Sequence, residues 1–165
     1  MGVTPLRADL DKPHTLKRLA GIGILILHFA PPQETGRQDK RTRALLAALS
    51  TGKILPRRLV YISTSGVYGD CRGAWVSEER PLQPQTPRAL RRADAEARLR
   101  RFGRARRVAV SILRAPGIYA GDRLPLARLE RGLPLLQEAE DIYTNHIHAD
   151  DLAVIARRAL VHGRP

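Results

Sequence analysis

Several groups of residues in this sequence have the types and spacing to do chemistry. The hydroxyls of Ser63, Thr64 and Ser65 directly follow the apolar stretch Leu59 to Ile62. Hydroxyls placed there either meet a ligand or end a strand as ordinary polar residues, and Gly66-Val67-Tyr68-Gly69 after them can be a simple turn. Arg88 and Arg92 stand four apart, which puts both guanidinium groups on one helix face, with Glu96 a turn further on. Such a pair either clamps a phosphate or carboxylate bidentately or forms part of a solvated surface. Neither arginine can shuttle a proton, because the group stays protonated at any accessible pH. His148 and Asp150 precede the last apolar segment and either orient a helix, Asp150 as its N-cap, or touch a ligand. His28 closes an apolar run as a satisfied core histidine. The single cysteine, Cys71, excludes an internal disulfide and a cysteine-based zinc site, in keeping with a reducing compartment.

The elements that must position these groups alternate between apolar runs and amphipathic segments, the signature of a parallel sheet with helices on both faces. Asp11 is expected to cap a short helix from Lys12 and Pro13, with Leu16 and Leu19 inward. Ile22 to Phe29 reads as a buried parallel strand. Asp39 to Leu49 carries Leu45, Leu46 and Leu49 at helical spacing, closed by Thr51-Gly52. Leu59 to Ser63 is a second strand, followed by a Gly- and Pro-rich loop from Thr64 to Pro87, a length that points to function. Arg88 to Phe102 is helical, with Leu90, Ala93 and Ala97 on one side. Val108 to Leu113 is a third strand that ends at Arg114, Ala115 and Pro116. A helix near Leu124 to Arg131, an extended piece around Ile142 to Ile147 and a last helix from Asp150 to Val161 complete the chain.

At 165 residues the sequence accommodates one domain with a real core, and 43% apolar residues suit an ordinary α/β protein. With neither a membrane-length apolar stretch nor a signal-peptide block, the expected location is the cytoplasm, away from any membrane. The net charge of +13 raises the question of nucleic acid. It is carried by 25 arginines and 4 lysines spread from Arg7 to Arg164, with 4% aromatics for base stacking. Dispersed charge of this kind belongs to solvated helix faces, so nucleic acid is not the expected partner. The densest cluster, Arg98 to Arg107, is where that reading is tested.

Ligands of open parallel sheets sit beyond the carboxyl ends of the strands. Here those ends read HFAPP at 28–32, STSGVYGD at 63–70 and RAPGIY at 114–119. With Glu78, Glu79 and Pro81, and with NHIHADDLA at 145–153, they resemble in order and spacing the NAD-dependent epimerase/dehydratase family, the extended and atypical short-chain dehydrogenases. The resemblance covers nearly the whole chain. It implies a Rossmann-like, doubly wound parallel sheet, NAD or NADP as cofactor, and a sugar nucleotide or similar polar small molecule as substrate. Residue by residue, it implies Asp9 and Leu10 against the adenine, and Phe29, Ala30 and Pro31 along the pyrophosphate and ribose. Ser63 falls at the cofactor edge, Thr64 where a hydroxyl binds the substrate oxygen, and Ala115 and Pro116 beside the nicotinamide.

Two features depart from the family's pattern. Its acid/base pair, Tyr-x-x-x-Lys, falls on Arg88 and Arg92, leaving Thr64 as the one hydroxyl aligned with the chemistry. The run Gly66 to Glu78 resembles atypical members that keep the fold and lose the tyrosine. The family's opening strand, Gly-rich turn and helix have no counterpart, since Gly21-Ile22-Gly23 precedes a strand instead of opening a helix. The expectation is a single partial NAD(P)-binding domain over 1–165, truncated at both ends and lacking the first βαβ unit and most of the substrate domain. It would bind NAD(P) weakly or not at all by itself, with an exposed strand edge. Three functions follow: an epimerase/dehydratase-like enzyme, a catalytically silent dinucleotide-binding or sensor protein, and an arginine-driven nucleic-acid binder.

Overall fold

The computed structural model describes residues 2–122, 124, 126, 130–134, 137 and 144–163. A 3-10 helix, Pro13–Leu19, leads into β1 (Leu25–His28), α1 (Lys40–Ser50) and β2 (Arg58–Thr64). A 3-10 turn, Ser65–Tyr68, follows β2; then come α2 (Pro87–Arg106), β3 (Ala109–Ala115), β4 (Gly117–Tyr119), β5 (His146–His148) and α3 (Ala149–His162). Strands β1, β2 and β3 pair in that order, all parallel, and β4 and β5 form a separate parallel pair. Parallel neighbours need crossover connections, which α1 and α2 supply.

Alternation along each strand divides the core between two layers. Leu59 and Tyr61 of β2 face Leu45, Leu46 and Leu49 of α1 and Ala95, Leu99 and Phe102 of α2. Ile62 of β2 and Ala115 of β3 face the other way, onto Ala156 of α3. Helices therefore cover both faces, as the alternating pattern predicts. Gly103 lets α2 approach β3, since a Cβ there would come within 2.9 Å of the Val108 carbonyl oxygen.

Four local expectations are corrected. Asp11 caps no helix: Lys12 is the N-cap of the first 3-10 segment, and the Asp11 carboxylate binds Arg41 instead. The first strand is four residues long and only half covered, with Leu25 50% and Leu27 42% exposed. At the edge of the three-stranded sheet it packs through Ile26 and His28, while its other face is only partly covered, by α3. On α2 the buried stripe runs through Ala89, Arg92, Ala95, Glu96, Leu99 and Phe102, not through Leu90, Ala93 and Ala97. Apolar periodicity misled there because two charged residues point inward. The last helix is capped by His148, whose Nδ1 accepts from the Asp150 backbone N–H at 3.2 Å. Much of the helix expected near 124–131, and the start of the extended piece near 142, lie outside the described residues.

Candidate functional site

At the carboxyl edge of the sheet, strands β2 and β3 end level, while β1 ends three residues earlier, at His28 opposite Tyr61, with Phe29, Ala30 and Pro31 following it. Thr64 and Ala115 are direct register partners. Beyond Thr64 the chain cannot continue as strand, because the Thr64 hydroxyl accepts from the Gly66 N–H at 3.3 Å and opens the 3-10 turn. That turn buries Val67 and Tyr68 and leaves Thr64 half-exposed at the edge. Gly69 closes it at φ +74°, where an added Cβ would lie 2.3 Å from the Gln83 carbonyl oxygen. Only glycine fits a left-handed position so close to another backbone. The Gln83 N–H in turn donates to the Val67 carbonyl at 3.0 Å, so the long loop is fastened at its root.

Beneath this edge lies a buried charged cluster. Glu96, 1% exposed, accepts from the Ser63 hydroxyl at 2.6 Å and from Arg114 Nη2 at 2.8 Å, with Arg114 Nε at 3.2 Å from both carboxylate oxygens. Arg114 Nη1 also donates to the Tyr68 hydroxyl at 2.7 Å and the Glu78 carbonyl at 2.9 Å, and the guanidinium lies over the Tyr68 ring. The hydrogen bonds to Glu96 raise the Arg114 pKa further above its ordinary value. One guanidinium thus ties β3, the 3-10 turn, the long loop and, through Glu96, α2 into one unit.

Arg88 and Arg92 are not brought together. Arg88 is exposed in the first turn of α2. Arg92 is 6% exposed and donates through Nη1 to the Tyr61 hydroxyl at 2.9 Å and the Ile62 carbonyl at 2.7 Å. Helical spacing alone places two residues on one face; here Arg92 turns under the sheet because it has buried acceptors there. Burial pushes the Tyr61 phenol up to about 12, against the opposing pull of Arg92. Tyr61 is therefore no proton shuttle near neutrality.

The β1 end is held by a second polar chain. His28 Nε2 is 2.9 Å from the Thr42 hydroxyl, and that hydroxyl donates its one proton to Asp39 at 2.8 Å. His28 must then carry the proton on Nε2. Asp39 also accepts from the Thr42 N–H, capping α1. Desolvation pushes the His28 pKa down to about 4, so the ring is neutral, the satisfied core histidine that its position suggests. Arg41 of α1 binds Asp11 through Nε at 2.8 Å and the Pro31 carbonyl through Nη1 at 3.3 Å. It thereby holds the Asp9-Leu10 segment close to the Phe29–Pro31 turn. Asp9 itself is exposed and pairs loosely with Lys12, while Leu10 packs on the main core.

A dinucleotide would have to lay an anionic pyrophosphate over these strand ends. Phe29, Ala30, Pro31, Thr64, Ala115 and Pro116 carry no charge, and the acid beneath them, Glu96, is neutralised by Arg114. An edge that carries no negative charge admits such a ligand. Spacing did not reveal Arg114, Tyr68, Arg41 or the inward role of Glu96. The one available signal was Glu96 on the same helical stripe as Arg92.

Comparison with known proteins follows from this geometry. RMD from Pseudomonas aeruginosa complexed with NADPH superposes with TM-score 0.78 at 20% identity, over 99% of this chain and 65% of that one. DesIV, a dTDP-glucose 4,6-dehydratase from Streptomyces venezuelae with NAD and TYD bound, gives 0.79 at 25% identity, over 95% and 54%. The UDP-glucose 4-epimerase of Thermus thermophilus in complex with NAD gives 0.75 at 20%, over 96% and 60%. The chain therefore spans between 54% and 65% of the length of these three structures. No curated protein sequence matches it significantly. Among the described residues no helix is long and apolar enough to cross a membrane. A family model does match residues 7–165, and with the parallel sheet and the strand-end motifs in place, the chain belongs to the NAD dependent epimerase/dehydratase family.

Proposed function

We propose that the chain forms the NAD(P)-binding part of an epimerase/dehydratase-like protein whose substrate is a sugar nucleotide or a similar polar small molecule. The observation that carries this reading is the carboxyl end of the parallel sheet, where Thr64 and Ala115 end β2 and β3 in register and Phe29–Pro31 follow the end of β1. The structures it superposes on hold NADPH or NAD, and two of them act on nucleotide-linked glucose by name. When bound, the dinucleotide supplies the hydride acceptor or donor. This chain's residues do the rest: Phe29, Ala30 and Pro31 offer backbone and van der Waals surface, Ala115 and Pro116 leave room, and the Thr64 hydroxyl binds a substrate oxygen. Asp9 and Leu10, held near the same edge through Arg41, would meet the adenine, and Ser63 would shape the edge from below while bonded to Glu96. Exposed Arg88 suits an anionic group of the substrate; Arg92 serves the fold.

A second reading, a dinucleotide-binding protein without catalysis, is favoured by one observation. The positions of the family's acid/base pair hold two arginines, and Arg92 is bonded to Tyr61 and Ile62 inside the fold. Saturation-transfer difference NMR on the 165-residue chain, with NAD, NADH, NADP and NADPH in turn, tests the cofactor class. Weak binding, with a Kd on the order of 1 mM, still gives transfer to the nicotinamide and adenine protons. No transfer to any of the four dinucleotides refutes dinucleotide binding by this chain.

A further inference from the structure

The described aromatic side chains divide sharply. Tyr61, Tyr68 and Phe102 are buried at 0%, 8% and 7% exposure, whereas Phe29, Trp75 and Tyr119 are 50%, 101% and 40% exposed. These three exposed rings all follow strand ends: Phe29 after β1, Trp75 in the loop after β2, and Tyr119 on β4 just past the end of β3. Aromatic rings are large apolar surfaces that normally reach the core or an interface, so a wholly solvated indole is the informative exception.

Trp75 is also presented by an ordered loop. Asp70 Oδ1 accepts from the Arg72 N–H at 2.8 Å, the Ala74 N–H donates to the Cys71 carbonyl at 2.9 Å, and Arg72 and Gly73 both take left-handed φ, +50° and +73°. A non-glycine residue held there marks a turn that its surroundings impose. Arg114 binds the Glu78 carbonyl from the end of β3. Trp75 is three residues from Glu78, so its backbone lies within about 10 Å of that anchor even at full extension. The loop that carries Trp75 is therefore anchored to Arg114, the residue before Ala115 on β3.

We propose that Trp75 is a specificity-determining contact that stacks on the sugar ring of the substrate. The inference rests on the reading of Thr64 as the residue that binds the reacting substrate oxygen. In a nucleotide-linked sugar that oxygen belongs to the sugar, so the ring nearest this edge is the pyranose and not the base. A pyranose has one face of C–H groups, which an indole covers while the hydroxyls remain free for polar partners. Exposed Arg88 stands at the start of the helix that follows the same loop and suits the linking phosphates.

Trp75 is the only tryptophan of the chain, so its fluorescence reports this contact without interference. Acrylamide quenching of the wild-type chain is measured with UDP-glucose, dTDP-glucose and UDP, alongside saturation-transfer NMR on the same samples. Binding of either nucleotide sugar is expected to lower the quenching constant at least threefold and shift emission to the blue, with little effect from UDP. Trp75→Ala is expected to weaken nucleotide-sugar binding about tenfold at an unchanged Tm, and Trp75→Phe to recover most of it. Binding seen by NMR with Trp75 still freely quenched overturns the stacking role and leaves the proposed function standing. Equal protection by UDP overturns the sugar assignment. Absence of any NMR transfer from both nucleotide sugars overturns the substrate reading and this inference with it.

Discussion

Removing the Glu96 carboxylate should be the most damaging single change at the edge of the site, and its cost can be worked from the contacts. Glu96 is 1% exposed and Arg114 has a side chain only 12% exposed, so Glu96→Ala leaves a guanidinium desolvated without its counter-ion. Breaking a buried pair from one side costs about 3–5 kcal/mol. Ser63 loses its acceptor in the same step. Glu96→Gln keeps an acceptor for Ser63 but exchanges charge-assisted hydrogen bonds for neutral ones, a loss of about 1–2 kcal/mol. Replacing both partners, Glu96→Leu with Arg114→Met, removes the orphaned charge and should cost less than Glu96→Ala alone. Urea denaturation followed by far-UV circular dichroism measures all three variants; Trp75 fluorescence cannot, since the indole is already in water in the native state. Hydrogen exchange gives the functional consequence. With Arg114 no longer oriented, the Gly69 and Gln83 amides that fasten the loop should exchange faster than those of β2. A cost below about 1 kcal/mol for Glu96→Ala, or a double variant as unstable as the sum of its single changes, would refute this account of the cluster.

Two further outcomes follow from the packing. His28 has a folded pKa of about 4 against 6.5 unfolded, so the unfolded state takes up its proton first. Its contribution to stability, about 3 kcal/mol from the size of the shift, is fully present above pH 6.5 and is lost as pH falls towards 4. His28→Gln should flatten that part of the pH–stability curve, and an identical slope in both proteins would contradict the assignment. Leu25→Lys with Leu27→Lys should reduce self-association in sedimentation velocity at little cost in Tm, because the two side chains are already about half exposed on an edge strand. A wild type that stays monomeric at high concentration would count against it.

What the sequence disclosed depended on whether apolar pattern or polar contact decided the structure. Three parallel strands, two crossover helices and the strand ends were legible because apolar runs and turn residues specify them directly. The inward face of α2 was not, because Arg92 and Glu96 look like surface charges until the acceptors at Tyr61 and Ile62 and the donors at Ser63 and Arg114 are seen to surround them. The first strand was over-read for the reverse reason. Its residues are apolar, yet Leu25 and Leu27 are only about half covered. Thr64 was singled out by the family resemblance, whereas Arg114, one residue past an apolar run, gave no sign of bonding several separate groups.

The same contrast bears on catalysis. An acid/base pair on α2 would need two side chains that reach the carboxyl edge and exchange protons near neutrality. Of the two residues at those positions, Arg92 is turned beneath the sheet by two hydrogen bonds and Arg88 carries a proton it cannot release. Tyr68, the phenol set directly beneath the edge, is 8% exposed and already accepts from Arg114. The arrangement that makes the edge rigid thus consumes the groups that a hydride-transfer site would use, apart from the Thr64 hydroxyl. The buried charges of Glu96 and Arg114 serve instead to hold Ser63, the 3-10 turn and the Glu78 segment in place. Under the proposed function, chemistry at that edge would need a proton acceptor other than Arg88 and Arg92.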